Sequence, residues 1–526
     1  MTSRRVAALG ALAALPMAVL TVFFVLPVTG MVARGFSDGP GAVLEVLTRP
    51  RTGRVVWFTI WSASAATAIA VALGVPAAYA LYRLRWPGRG LVRAALLVPF
   101  VLPTVVVGVA FRELLGEAGP LGFLHLTGTA GGIIAGLAFF NVAVVIRTVG
   151  AAWESLDPRS GEAAAALGAA PATVFRTVTL PALRPAIVGA ATVVFLFCAT
   201  GFGVVLMLGG LRYASVETEI YLLTTNLLDL QAAAALSVVQ FAVVLALLVL
   251  SARLRVPVRS GRVVARPRRP RRGDIPVLAV TAILLALVAA PILTLVDGSL
   301  QVDGRWSLGN YRALSGVGDA LATSLRTAVD ATWMALLLGG LVSVVVTRRS
   351  RSTTERRLRG LLDGFFMLPL GVSAVTLGFG FLITLGSLRD SPLLVPIAQA
   401  LVALPLVVRT LVPVLAGIDD RLRQAAASLG AGPLRQALVV DLPAVWKPLL
   451  AAAGFAFTVS LGEFGATSFL ARDEHPTLPV VIYRLIGHPG AMNYGMALAA
   501  SVLLAVLTTC VMLAVERLRV PSIGAF

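Results

Sequence analysis

Twelve stretches of the sequence stay apolar for about 20 residues or more, the length an α-helix needs to cross the hydrocarbon core of a bilayer. They run roughly over 6–32, 55–82, 93–112, 131–152, 185–208, 233–252, 276–297, 320–347, 360–386, 392–414, 448–470 and 495–515. Lipid offers no partner to backbone N–H and C=O groups, so each stretch must bond internally, as a helix does. The expected fold class is an all-α polytopic membrane protein of about twelve transmembrane helices. With 58% hydrophobic and 13% charged residues, the chain has too little polar surface to enclose such a core in water. The first run follows "MTSRR" and is read as a retained anchor. It is long for a signal-peptide core, and no A-x-A cleavage site follows.

The net charge of +19 would suit a nucleic-acid binder, but its placement argues against one. The cations sit in short loops between apolar runs, the signature of membrane topology. "YRLRWPGRGLVR" follows the second run, "RRSRSTTERRLR" the eighth, and Arg253 to Arg272 holds nine arginines without an acid. These loops are expected on the cytoplasmic side. The acid-containing loops at 113–128 and 212–229 are expected outside, and both termini inside. Cys198 and Cys510 lie in apolar runs, which speaks against a disulfide framework or a thiolate metal site.

The chain repeats itself. "LVPFVLPTVVVGVAF" matches "MLPLGVSAVTLGFGF", pairing Pro99 with Pro369 and Gly108 with Gly378. "IRTVGAAWESLD" matches "VRTLVPVLAGID", pairing Arg147 with Arg409 and Asp157 with Asp419. "GFG" at 201–203 answers "EFG" at 463–465, and "RLRVP" at 253–257 recurs at 517–521. A duplicated unit of about 260 residues explains this. Residues 1–254 form the first copy, 255–275 an Arg/Pro-rich cytoplasmic linker and 276–526 the second. Six spans in each copy insert both the same way up, related by a pseudo-two-fold axis along the membrane normal.

The strongest repeat lies between spans: "EAAAALGAAPATVFRTVTLP" from Glu162 and "QAAASLGAGPLRQALVVDLP" from Gln424. Asp157 and Pro158 suit the start of a short helix, at the N-cap and first turn. Gly168 suits the left-handed residue that ends it. Pro171 restarts a helical stretch, and Leu180-Pro181 is expected to stop it before the next span. Asp419, Gly430, Pro433 and Leu442-Pro443 repeat the punctuation. The expected product is a short helix across the cytoplasmic face in each coupling loop, about 153–184 and 415–447. Such a helix seats in a groove of another protein or merely rests on the membrane surface.

The pattern Glu-Ala-Ala, three residues, Gly, nine residues, an aliphatic, one residue, Leu-Pro resembles the cytoplasmic-loop signature of binding-protein-dependent ABC importer permeases. It falls here on Glu162, Ala163, Ala164, Gly168, Val178, Leu180 and Pro181, and again on Gln424, Ala425, Ala426, Gly430, Val440, Leu442 and Pro443. The departure is Gln424, where the family usually has Glu. With "SLGEFGATSFL" at 460–470, the chain is similar to the fused permeases of the thiamine and ferric-iron branch. The resemblance implies that each loop docks on one of two copies of a cytoplasmic ABC ATPase, which holds ATP and Mg. It also implies an extracytoplasmic substrate-binding protein, and a substrate, thiamine or ferric iron, moved inward by alternating access. No cofactor and no nucleic acid is expected on this chain, and the bacterial inner membrane is its expected location.

The rival is a secondary transporter of the major-facilitator type, also six plus six spans. Against it, proton- and ion-coupled carriers place carboxylates inside their spans, and here there are few, Asp330 and Glu463, which are also the candidate substrate-pathway residues. Arg326, four residues before Asp330, is placed to pair with it along a helix face. An enzyme is excluded as far as nucleotide hydrolysis goes: the single lysine, Lys447, follows Trp446 and precedes Pro448, so there is no Gly-Lys-Ser/Thr loop.

Overall fold

The computed structural model describes residues 2–210, 212–254, 267–314, 317–347, 353–388 and 390–517. The linker stretch 255–266 and the second "RLRVP" beyond Arg517 lie outside the described residues. The fold is all-α, apart from a two-stranded turn pairing Gln301–Val302 with Arg305–Trp306. The long helices are α1 (Ala11–Gly35) and α2 (Pro50–Tyr82), a bent pair α3 (Arg89–Val101) and α4 (Thr104–Leu115), and α5 (Ala130–Glu154). After the short α6 (Arg159–Ala166) come α7 (Pro171–Ala199), the short α8 (Val216–Thr225), α9 (Leu230–Val249) and α10 (Arg272–Ser299). The second copy supplies α11 (Val317–Thr347), α12 (Thr353–Met367), α13 (Ala374–Thr384) and α14 (Leu394–Gly417). Then follow α15 (Asp420–Ser428), α16 (Ala437–Leu461), α17 (Leu478–Gly487) and α18 (Ala491–Val515).

Ten of these helices are long and apolar enough to cross a membrane, and the bent pair adds an eleventh. The runs expected at 93–112 and 360–386 are interrupted rather than continuous. In the first, α3 and α4 meet at 106°. Leu102 is extended (ψ 135°) because the Pro103 ring pushes its predecessor out of the helical region. In the second, Val372 is extended and Ser373 caps α13 through Thr376 N (3.0 Å). Both interrupted pieces still carry the chain back across. Gly74 of α2 lies against Val145 of α5, and farther along both helices Tyr82 lies against Gly150. The two helices therefore run parallel, and only a return between them allows that. Likewise Gly339 of α11 meets Val407 of α14, while earlier residues 323–330 and 393–395 share a cleft.

Close packing comes from small residues, as expected where lipid tails supply no hydrophobic drive between helices. Ala63, Ala66, Ala70 and Ala77 of α2 are wholly buried, while Trp57, Ile60 and Trp61 of the same helix are exposed. The matched motifs pack on each other in each copy. Gly203 lies against Thr104 and Val105 and Gly108 against Met207; Gly465 lies against Ala374 and Val375 and Gly378 against Ala466.

By contacts the chain forms two compact units that cross the sequence copies. One holds Met1–Leu47, Ile220–Phe241 and Arg312–Phe526; the other holds Thr48–Glu219 and Ala242–Tyr311. Within the first, Gly30 of α1 lies against Thr384 of α13. Within the second, α10 lies against α2 and α4. The end of the linker is ordered there. Arg268 exchanges backbone hydrogen bonds with the 83–85 turn: its N–H donates to Arg83 O (3.0 Å), and its carbonyl accepts from Arg85 N (2.7 Å). Its guanidinium grips both oxygens of Asp274 (2.7 and 2.8 Å) and donates to the Tyr79 hydroxyl (2.7 Å). Residues 267–275 are thus an anchor, not a free basic tail.

Candidate functional site: the repeated loop

In the first copy, Asp157 accepts from Arg159 N (3.0 Å) and starts α6. Pro158 takes the cap position and Arg159 the first helical one, a one-residue shift from the sequence expectation. The same bond recurs in the second copy, where Asp419 accepts from Arg421 N (2.9 Å) and opens α15. Both helices end as expected. Gly168 has φ +87° and Gly430 φ +80°. Ala169 N returns to Ala164 O (3.1 Å) and Ala431 N to Ala426 O (3.0 Å), so the last carbonyls of each helix are satisfied. A side chain at either glycine would meet nothing within 4 Å, so the demand there is for backbone conformation alone.

One expectation fails. Leu180-Pro181 does not end a separate helix, because α7 runs without a break from Pro171 to Ala199. The turn 175–179 widens to π geometry, with Leu180 N donating to Phe175 O. At 437–441, Leu442 N donates to Ala437 O in the same way before Pro443. A proline ring inside a helix collides with the carbonyl four residues back and leaves it unbonded. One extra residue in the turn removes that carbonyl from its way. The same device precedes Pro27, at 21–25 of α1. Each short helix is therefore joined to a membrane helix by a tight glycine turn and a stiff helical shaft.

The two seats differ. In the first, Trp153 is buried between Tyr79 (5.2 Å between ring centres) and Phe175 (6.5 Å, stacked). Arg83, half-buried at the end of α2, is held below its ordinary basicity by burial, with Tyr79 and Glu162 among the charges opposing that shift. In the second, Arg423 of α15 binds the buried Asp441 (2.8 Å) and Asp420 (3.2 Å). The first copy has Gly161 and Thr179 at the places of Arg423 and Asp441, so this clamp belongs to the second loop alone. A buried seam then runs from Ala331 and Ala403 through Leu411 and Leu415 to Ile418 and Val445 at the root of α15.

These helices present uncovered apolar side chains beside exposed polar ones. Glu162, Ala163, Gly168, Gln424, Ala425 and Gly430 are exposed, and Ala164 and Ala426 half-buried. Leu167 is 90% exposed and Leu429 87%, at equivalent places just before each glycine. The sequence comparison passed over these leucines; their recurrence beside both glycines was the available signal. Four bare alanyl or leucyl positions at each helix make a shallow apolar knob.

The other candidates separate. The Glu463 carboxylate is buried and bonded within its own turn, to Ala466 N (2.7 Å), Thr467 N (3.0 Å) and the Thr467 hydroxyl. It caps the "EFG" turn. Asp330 lines a cleft, and among the described residues it forms no ion pair with Arg326. The 212–229 stretch, expected as an outer loop, contains α8 with Glu217 and Glu219 buried; Glu219 accepts from Arg51 Nε (2.5 Å) and Nη2 (2.9 Å). Tyr221 and Tyr483, which the duplication pairs, stand edge to face with ring centres 6.4 Å apart, each against a phenylalanine: Phe469 at 5.4 Å and Phe464 at 5.4 Å. Among the described residues no group of three or more His, Cys, Asp or Glu could hold a metal ion.

A multi-pass membrane fold carrying the same exposed loop twice is that of an importer permease. Residues 70–256 and 321–519 each match the family described as binding-protein-dependent transport system inner membrane component, and the chain belongs to it. It is 30% identical to the thiamine transport system permease protein ThiP of Brucella abortus (strain 2308), over 90% of this chain and 89% of that one. It is also 30% identical to the ThiP of Escherichia coli (strain K12), over 82% and 83%. To a probable ABC transporter permease protein, y4fN, of Sinorhizobium fredii it is 27% identical, over 84% and 83%. The chain is thus the permease subunit of an ABC importer, and the major-facilitator reading has no support. Its relatives are transport permeases rather than enzymes, and its family works with an ATPase and a substrate-binding protein.

Proposed function

We propose that this permease carries thiamine inward, and that its loops 153–184 and 415–447 each dock on one copy of a cytoplasmic ATPase. The carrying observation is the repeated, uncovered short helix, with Leu167 and Leu429 exposed at matching places. The ATPase closes on ATP and Mg and supplies the differential free energy between inward- and outward-facing states, which the permease itself lacks. Glu162, Ala163, Ala164, Gly168 and Pro181 form the first coupling element; Gln424, Ala425, Ala426, Gly430 and Pro443 form the second. The repeats 1–254 and 276–526 are its two working copies, joined by 255–275, with both termini in the cytoplasm. An extracytoplasmic binding protein delivers the substrate.

The substrate reading rests on the ThiP relatives, and the Tyr221, Tyr483, Phe464 and Phe469 cluster favours it over ferric iron. Aromatic faces attract organic cations by several tenths to about 2 kcal/mol each, whereas ferric iron calls for hard oxygen ligands. The test is uptake of labelled thiamine and of iron in a strain lacking its own thiamine permease, with the partner ATPase and binding protein co-expressed. Thiamine uptake that depends on this chain is expected; iron uptake alone would overturn the assignment.

A further inference from the structure

A cleft of about 140 Å³ opens in the compact unit that holds α11 and α14. It lies near the start of α11, about 25 Å along that helix from its Thr347 end. Its charged lining comes from α11 (Arg326, Asp330) and from the loop before α17 (Arg472, His475), with Thr327 and Thr477 among the polar residues beside them. The loop is held to α11 by Leu478 N donating to the buried Ser324 hydroxyl at 2.7 Å. Thr477 is only 3% exposed, and its hydroxyl has no hydrogen-bond partner. Buried hydroxyls are almost always bonded, so an unbonded one in the wall of this cleft is an exception. Arg326 and Arg472 have no ion pair or hydrogen bond from their guanidinium groups among the described residues. Asp330, on the next turn from Arg326, is likewise unpaired.

Two unpaired guanidiniums in one cleft match the oxygens of a phosphate, which arginine binds through its planar fork of N–H donors. The single carboxylate matches an amine carried by the same molecule. Val329 and Trp333, flanking Asp330, are exposed on the apolar flank of α11. We infer that this cleft binds the phosphate group of an amine-bearing phosphate ester. The ester is either a free solute or the headgroup of a lipid such as phosphatidylethanolamine. The site shares no lining residue with the coupling loops or with the aromatic cluster.

The test uses the full chain, purified in detergent or held in nanodiscs, with two probes. Free phosphoethanolamine is titrated by calorimetry. Retained phosphatidylethanolamine is counted by native mass spectrometry against a phosphatidylcholine background. Binding of either probe that weakens at least tenfold in Arg326→Gln/Arg472→Gln supports the site and names its source. Thr477→Val should weaken the same probe several-fold while leaving the melting temperature unchanged or higher, since it removes an unbonded buried hydroxyl. Binding of neither probe, or binding indifferent to all three substitutions, overturns the inference. Co-purification of the ATPase is measured on the same variants. If it stays at wild-type level when phosphate binding fails, the permease assignment stands apart from this site.

Discussion

At the scale of single residues, the two repeated loops set different side chains to different tasks. Leu167 and Leu429 are the apolar contacts they offer, and each is close to fully exposed. Burying a leucine in a partner's groove contributes about 1.5–3 kcal/mol. Leu167→Asp or Leu429→Asp should therefore lower ATPase retention roughly tenfold or more in a pull-down, with membrane insertion and melting unchanged. Full retention in both variants would show that the helices do not dock through this face. Arg423 has a different task. Its bonds to Asp441 and Asp420 fix α15 to the shaft of α16. Arg423→Ala leaves the buried Asp441 carboxylate without that partner, a loss of about 1.5–3 kcal/mol for a charge-assisted bond. The first loop has no such clamp, so the variant should loosen α15 alone. Hydrogen exchange over 420–436 should rise while exchange over 159–174 stays constant. Equal change in both segments would contradict the asymmetry.

At the scale of elements, the π turns at 175–179 and 437–441 set the rotational phase of everything before them. Deleting Thr177 converts the first to an ordinary turn and rotates α6 by about 100° about the α7 axis. Helix content should be kept, whereas thiamine uptake should fall to a small fraction of wild type. Wild-type uptake would mean that the orientation of α6 is irrelevant. The sequence carried the helices, the glycine turns and the caps of this segment in its local chemistry, since Asp157, Gly168 and their counterparts act on their own neighbours. It hid the π turns because Pro181 and Pro443 read as breaks, and only the observed backbone shows a helix absorbing them. It also hid α8. Glu217 and Glu219 look like solvated loop acids, and what buries Glu219 is Arg51, 168 residues away. Periodicity reports local pattern and is silent on such partners.

At the scale of the whole molecule, the duplication was legible from matched motifs, and the interlacing of the copies was not. An apolar helix face states that it must be covered, not by which neighbour. In the structure α1 belongs to the compact unit built mainly from residues 312–526, and α10 to the one built mainly from 48–219. The sequence copies are therefore not independent bodies. The Arg268, Asp274 and Tyr79 anchor adds to this, because it ties the entry of α10 to the end of α2. A concrete consequence concerns the linker. Cutting between residues 260 and 261 breaks no described contact, so the pieces 1–260 and 261–526, made together, should assemble and co-purify through detergent and high salt. Each piece made alone leaves the packing faces of α1 or α10 uncovered and should aggregate or be degraded. Shortening the first piece to begin at residue 48 should weaken co-purification without abolishing it, because α1 then no longer reaches α13 while α10 still lies against α2 and α4. Two pieces that separate freely, or that are each stable alone, would show that the copies fold independently.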